Sequence, residues 1–183
     1  PAPEHELKSF TSDKQIDYLH GIARSHQYEA VHERKIVFTG EYFIVSDVLE
    51  ANDPHSYDLR FHLSDAAFEK TVALLWEDAL LVHAPHLVLA QPRVQGVNLA
   101  LENGFISRTY GVKHPAPIVR SSQQANRTSF HTVLYPYKKS VPKIDKKHFS
   151  SIGKIRFEAN IKQKFVYNNK FEVDFTEVIE EKI

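Results

Sequence analysis

The chain of 183 residues has no cysteine, no methionine and a single tryptophan, Trp76. Without cysteine no disulfide can staple the fold, and the redox compartment cannot be read from thiols. Methionine is missing even at position 1, so a processed chain or a fragment of a longer protein is expected. No segment approaches the roughly 18 uninterrupted apolar residues of a membrane helix, and the N-terminal PAPEHELKSF has no signal-peptide core. Glycine-rich phosphate loops, nucleophile elbows and HExxH helices are absent too. Charge of one sign is also missing: 23 basic and 23 acidic residues balance, so neither nucleic acid nor membrane is an expected partner.

What remains is ordinary for a soluble globular protein, with 42% apolar residues in a length suited to one domain. Alternating, β-branched and aromatic stretches such as HERKIVF, YFIVSDV, YDLRFHL and FHTVLYPY recur, punctuated by TG, NDPH, QPRVQG and ENG. The expected fold is therefore all-β, an antiparallel β-sandwich of two stacked sheets forming one domain over residues 1–183. SDAAFEKTVALLWEDA could pass for a helix, and residues 114–129 read as the longest polar loop. Between Lys138 and Lys164, nine Lys or Arg meet only Asp145 and Glu158, either as a guarded sheet edge or as a surface for an anionic partner.

Residues 31–65 carry a His, an Asp and a His at nearly equal intervals. A two-residue turn at Thr39-Gly40 would set His32 opposite Asp47, and a reversal between Pro54 and His55 would set Asp47 opposite His62. Opposed side chains share a face with Cβ atoms about 4.5–5.5 Å apart, so the three would form a row across three strands. The other face would hold Val31, Val37, Tyr42, Ile44, Val48, Tyr57, Leu59, Phe61 and Leu63, a core face. Two imidazoles and a carboxylate suit zinc or another divalent metal; a hydrogen-bonded cluster is the alternative. Arg34, Asp58 and Arg60 share the polar face. His83, His86, His114 and His131 read as turn or structural histidines, and Trp76 as core.

The series VHERKIVF, EYFIVSD and LRFHL, followed by ALLVHAP, ENGFISRTYG and FHTVLYPY, resembles the C-terminal β-sandwich domain of heparinase II/III-like polysaccharide lyases over residues 15–137. The resemblance implies β-elimination on an acidic, uronate-containing polysaccharide, with an N-terminal α/α toroid outside this chain supplying most of the catalytic machinery. It implies a structural zinc on His32, Asp47 and His62, and cleft-lining roles for His26 and Tyr110 as catalytic candidates; Arg34 and Arg60, on the polar face of the row, are the candidates for binding substrate. The motif around His26, SHQY, ends in Tyr28 and departs from the family pattern by lacking a Gly. A periplasmic or secreted bacterial protein is implied, and the chain alone should be catalytically silent. A non-catalytic carbohydrate-binding or interaction sandwich is the competing reading, and an unrelated metal-dependent β-barrel enzyme a third.

Overall fold

β-Branched and aromatic side chains pack well on a pleated surface, and the computed structural model is almost wholly antiparallel β-structure. It describes residues 4–12, 16–27, 29–40, 42–75 and 79–138, together with the backbones of three later strands. Contacts divide the chain into two compact units, Pro1–Lys138 and Lys139–Ile183. The second contains β10 (Arg156–Phe157), β11 (Gln163–Tyr167) and β12 (Phe171–Asp174), paired antiparallel in that order.

The first unit contains β1 (Glu4–Ser12), β2 (Asp17–Arg24), β3 (Val31–Phe38), β4 (Phe43–His62), β5 (Val72–Leu75), β6 (Ala79–Ala84), β7 (Leu87–Pro92), β8 (Asn98–Thr109) and β9 (Val112–Pro136). They hydrogen-bond in the order β1-β2-β3-β4-β9-β7-β6-β5, with β8 also on β9. Length makes β4 and β9 the spine. The first part of β9 lies between β8 and the second half of β4; its last part lies between the first half of β4 and β7. Leu63 and Val119 from the first region cluster with Leu80, Val82, Ala84 and Leu89 of β6 and β7, with Leu99, Leu101 and Leu134 packed around them. Each such leucine or valine contributes about 1.5–3 kcal/mol when fully buried.

The alternation places Val37, Tyr42, Ile44, Tyr57 and Leu63 in the interior, as expected. The expected hairpins are corrected. Gly40 does take a positive φ of 87°, but the loop spans residues 39–42, closed by Thr39 N–H donating to the Tyr42 carbonyl at 3.1 Å. That moves the register by two residues, so His32 opposes Leu49 and Arg34 opposes Asp47. A shift of two keeps every side chain on its expected face. There is no reversal at Pro54. β4 runs straight through, and residues 51–54 bulge between the Glu50 pair with Arg127 and the His55 pair with Ala125. A bulge accommodates a proline that cannot donate to the ladder.

Residues 114–129 are likewise not a loop but part of β9. Partners on both sides supply backbone hydrogen bonds, which override the weak strand preference of the Ser, Gln and Asn side chains. The possible helix is a 3-10 turn, Asp65–Ala67, followed by β5. Among the described residues no helix is long and apolar enough to cross a membrane. Trp76, Tyr28 and the side chains of the basic section beyond Lys138 lie outside the described residues.

On β9, His131 sits with Nδ1 3.0 Å from Ser46 Oγ. Burial pushes its pKa down to about 4, against a smaller upward pull from the Asp47 charge. Between the ordinary value near ~6.5 and about 4, the unfolded chain binds a proton that the folded chain refuses, so stability falls as pH drops through that window. Denaturant melts from pH 7 to 4 should show this decline, and His131→Gln should flatten it; an unchanged slope in that variant would assign the decline to other groups.

Candidate functional site

β3 has 8 residues and β4 has 20, so β3 can cover only the first part of β4. Beyond Glu50 the described neighbour of β4 is β9 alone. The connection between β2 and β3 turns back at that step, held by Ser25 N–H donating to the Ala30 carbonyl at 2.9 Å, with Glu29 at a positive φ of 38°. Asn52 on the bulge donates to the Glu29 carboxylate at 2.8 Å, tying loop to strand.

The result is a cleft of about 680 Å³. Such a volume is ordinary for a ligand site (~300–1,000 Å³). Its polar walls include Arg24, His26, His32, His55, Tyr57 and Asp58. Asp58 pairs with Arg60 at 3.3 Å and Arg120 at 3.7 Å. Arg24 offers a planar fork that matches carboxylate or sulfate, and three imidazoles add hydrogen-bonding capacity. Burial first, then the Glu50 charge, pushes the Tyr57 hydroxyl above its usual range near 10. It stays protonated and donates to the Asn126 carbonyl at 3.4 Å.

Behind His32 stands Asp47, wholly buried. Its Oδ1 lies 2.5 Å from His32 Nε2 and accepts from Arg34 Nε at 2.6 Å. Burial drives the carboxyl upward, but the hydrogen bonds from His32 and Arg34 and their charges outweigh it and hold Asp47 below the ordinary carboxylate range. The ion pair is therefore intact at neutral pH.

The expected metal row is thus brought together only in part. His32 meets Asp47 diagonally across the strands, while His62 lies exposed at the far end of β4, opposite Ile118. Asp47 Oδ2 is buried without a partner, which leaves one oxygen for a further donor. A cation there would find one imidazole and would crowd against the Arg34 guanidinium, and no group of three or more His, Cys, Asp or Glu converges among the described residues. These residues do not fit zinc.

Other candidates separate as well. Tyr110 projects fully into solvent at the tip between β8 and β9, rather than lining the cleft or the core. Arg34 points to Asp47 and Arg60 to Asp58. His26 does line the cleft. His86 occupies the β6–β7 turn with φ 65°, and His83 stacks on Tyr137 at 5.8 Å, so both brace the chain end of this unit. Sequence reasoning missed Arg24 and His55. The second was assigned to a turn because Asn-Asp-Pro normally breaks a strand; the alternation resuming at Tyr57 was the signal against it.

The family described as "Heparinase II/III-like, C-terminal" matches residues 2–159. The chain belongs to this family. Among solved structures, the heparinase II/III-like domain is similar to heparan sulfate lyase HepC from Pedobacter heparinus, with a TM-score of 0.68 and 15% identity over 93% of this chain and 28% of that one. It also resembles the heparinase III BT4657 gene product, with a TM-score of 0.54 and 21% identity over 75% of this chain and 22% of that one. The domain thus spans about a quarter of the length of these neighbours, and they show its fold. No curated protein matches the sequence.

Removing Arg34 should leave the Asp47 charge buried with one partner fewer. Breaking a fully buried pair costs about 3–5 kcal/mol; Arg34 is 40% exposed and His32 still contacts Asp47, so Arg34→Ala should lower the unfolding free energy by less than that, about 1–2 kcal/mol in denaturant titration, with Arg34→Lys intermediate. Melting should be insensitive to chelator and to added zinc; a chelator-induced fall in Tm would return a metal to the site.

Proposed function

We propose that this heparinase II/III-like chain is the C-terminal β-sandwich domain of a polysaccharide lyase, and that its cleft forms one wall of the groove that holds an acidic sugar polymer. The fold similarity supports the assignment to a lyase. The packing of the β4–β9–β8 region onto β6 and β7 supports the two-layer sandwich. The observation that carries the polymer reading is the cleft itself: Arg24 and three imidazoles converge where the β2–β3 connection meets the bulged half of β4. An elongated acidic polymer is recognised by such a hydrogen-bonding wall, and uronate carboxylates suit the Arg24 fork, while the Asp58 carboxylate beside it is engaged by Arg60 and Arg120.

In this reading the rest of the lyase, an α/α toroid, faces the cleft and supplies the remainder of the elimination machinery. Abstracting a proton beside a carboxylate needs both a positioned base and stabilisation of the resulting enolate. His26 and His32 supply imidazoles, but the cleft offers only part of that set. The chain by itself therefore binds without cleaving.

Calorimetry of the 183-residue chain with heparan sulfate oligosaccharides should show binding at low salt that weakens as salt shortens the Debye length toward ~8 Å. Arg24→Ala and His55→Ala should each weaken it severalfold without changing Tm. No binding at low salt would overturn the polymer reading, and ultraviolet-absorbing unsaturated uronates produced by this chain alone would overturn its passivity.

A further inference from the structure

We propose that the free edge of β1 joins two copies of this chain across a two-fold axis at Leu7, so that the sheet of one protomer continues into the next.

β1 is the first strand of the sheet, and among the described residues its outer edge has no partner strand. Such an edge presents a row of N–H and C=O groups that another strand can satisfy. Two large apolar side chains project from it into solvent, Leu7 at 64% exposure and Phe10 at 62%. Three positions apart, they would take opposite faces of a regular strand. Here they do not, because Lys8 is the extra residue of a bulge: Leu7 pairs with Gly21 and Phe10 with Leu19, two positions apart on β2. Both therefore lie on one face. From Phe10 that face continues through Leu19 to Ile36, with Phe38 stacked on Phe43 at 4.4 Å alongside. A contiguous exposed apolar surface of this kind marks an interaction site.

The charges identify the partner. Glu6 and Lys8 lie at the surface on the opposite face and pair at 2.7 Å. When two such strands run antiparallel about Leu7, Glu6 of each copy stands opposite Lys8 of the other, and the two leucines oppose each other on the apolar face. Phe10 meets Leu7 of the second copy as a diagonal neighbour, about 7–8 Å away. The strand is thus its own complement, as an isologous two-fold contact requires. Lysines and bulges usually guard an edge against open-ended pairing; here they select one register, because a slip of two residues sets Lys8 against Lys8 or Glu6 against Glu6. Like charges directly opposed are destabilising.

Sedimentation equilibrium of the 183-residue chain should show its mass doubling as concentration rises and going no further. Leu7→Ser and Phe10→Ser, both at exposed sites, should each raise the dissociation constant about tenfold with Tm unchanged. Glu6→Lys and Lys8→Glu each bring like charges together across the axis, so either variant alone should be monomeric. An equal mixture of the two should recover the dimer, because unlike charges meet again. A chain that stays monomeric at every concentration overturns the proposal and leaves the apolar face to the rest of the lyase. A dimer indifferent to these substitutions, an open-ended assembly, or a mixture that remains monomeric also overturns it.

Discussion

The backbone ladder between β4 and β9 is the constraint on which the rest of the first unit depends. It joins positions far apart in sequence, from Phe43 with Leu134 to His62 with Ile118. Closing such a long loop is entropically unfavourable, though the penalty grows only slowly with length, and many cooperating pairs offset it. Once this pairing exists, the neighbouring strands of the first unit are placed. β3 extends one side, β7 and β8 attach to opposite ends of β9, and the apolar residues of β6 and β7 meet those near Leu63 and Val119.

The same ladder creates the cleft through a mismatch of lengths. β4 outruns β3, and the bulge at residues 51–54 interrupts the ladder where β3 begins. Bulges bend and twist a strand locally and recur beside functional sites. Here the bulge side chain Asn52 also anchors the β2–β3 connection through Glu29. A ledge of regular strand and a tethered loop hold the cleft residues, which is a more rigid arrangement than loops alone.

Placing a carboxylate in the centre of this sheet is expensive, and its neighbours are chosen to make it tolerable. Asp47 is buried between Arg34 and His32 on one side and the aromatic Phe130 across the ladder. Replacing such a group with apolar packing often leaves a protein no less stable.

How much could be read in advance follows from periodicity. Two-residue alternation marks which face a side chain takes, and it identified strands, core positions such as Val37, Ile44 and Tyr57, and the nearness of His32 to Asp47. Because a register error of two residues leaves the face unchanged, these assignments survived a misjudged turn at Thr39. The order of the HERKIVF, YFIVSD and LRFHL segments also carried the family resemblance. Local signals could not decide whether Asn-Asp-Pro reverses the chain or bulges within one strand, since a proline satisfies both geometries. That choice belongs to β9, whose hydrogen bonds hold β4 extended through it, separate His62 from Asp47, and bring His55 to the cleft. Sequence by itself determined the β-rich character, the buried faces and the family, because these depend on side-chain alternation. Only the tertiary structure decided which residues meet, because that depends on backbone pairing between segments the local pattern does not connect.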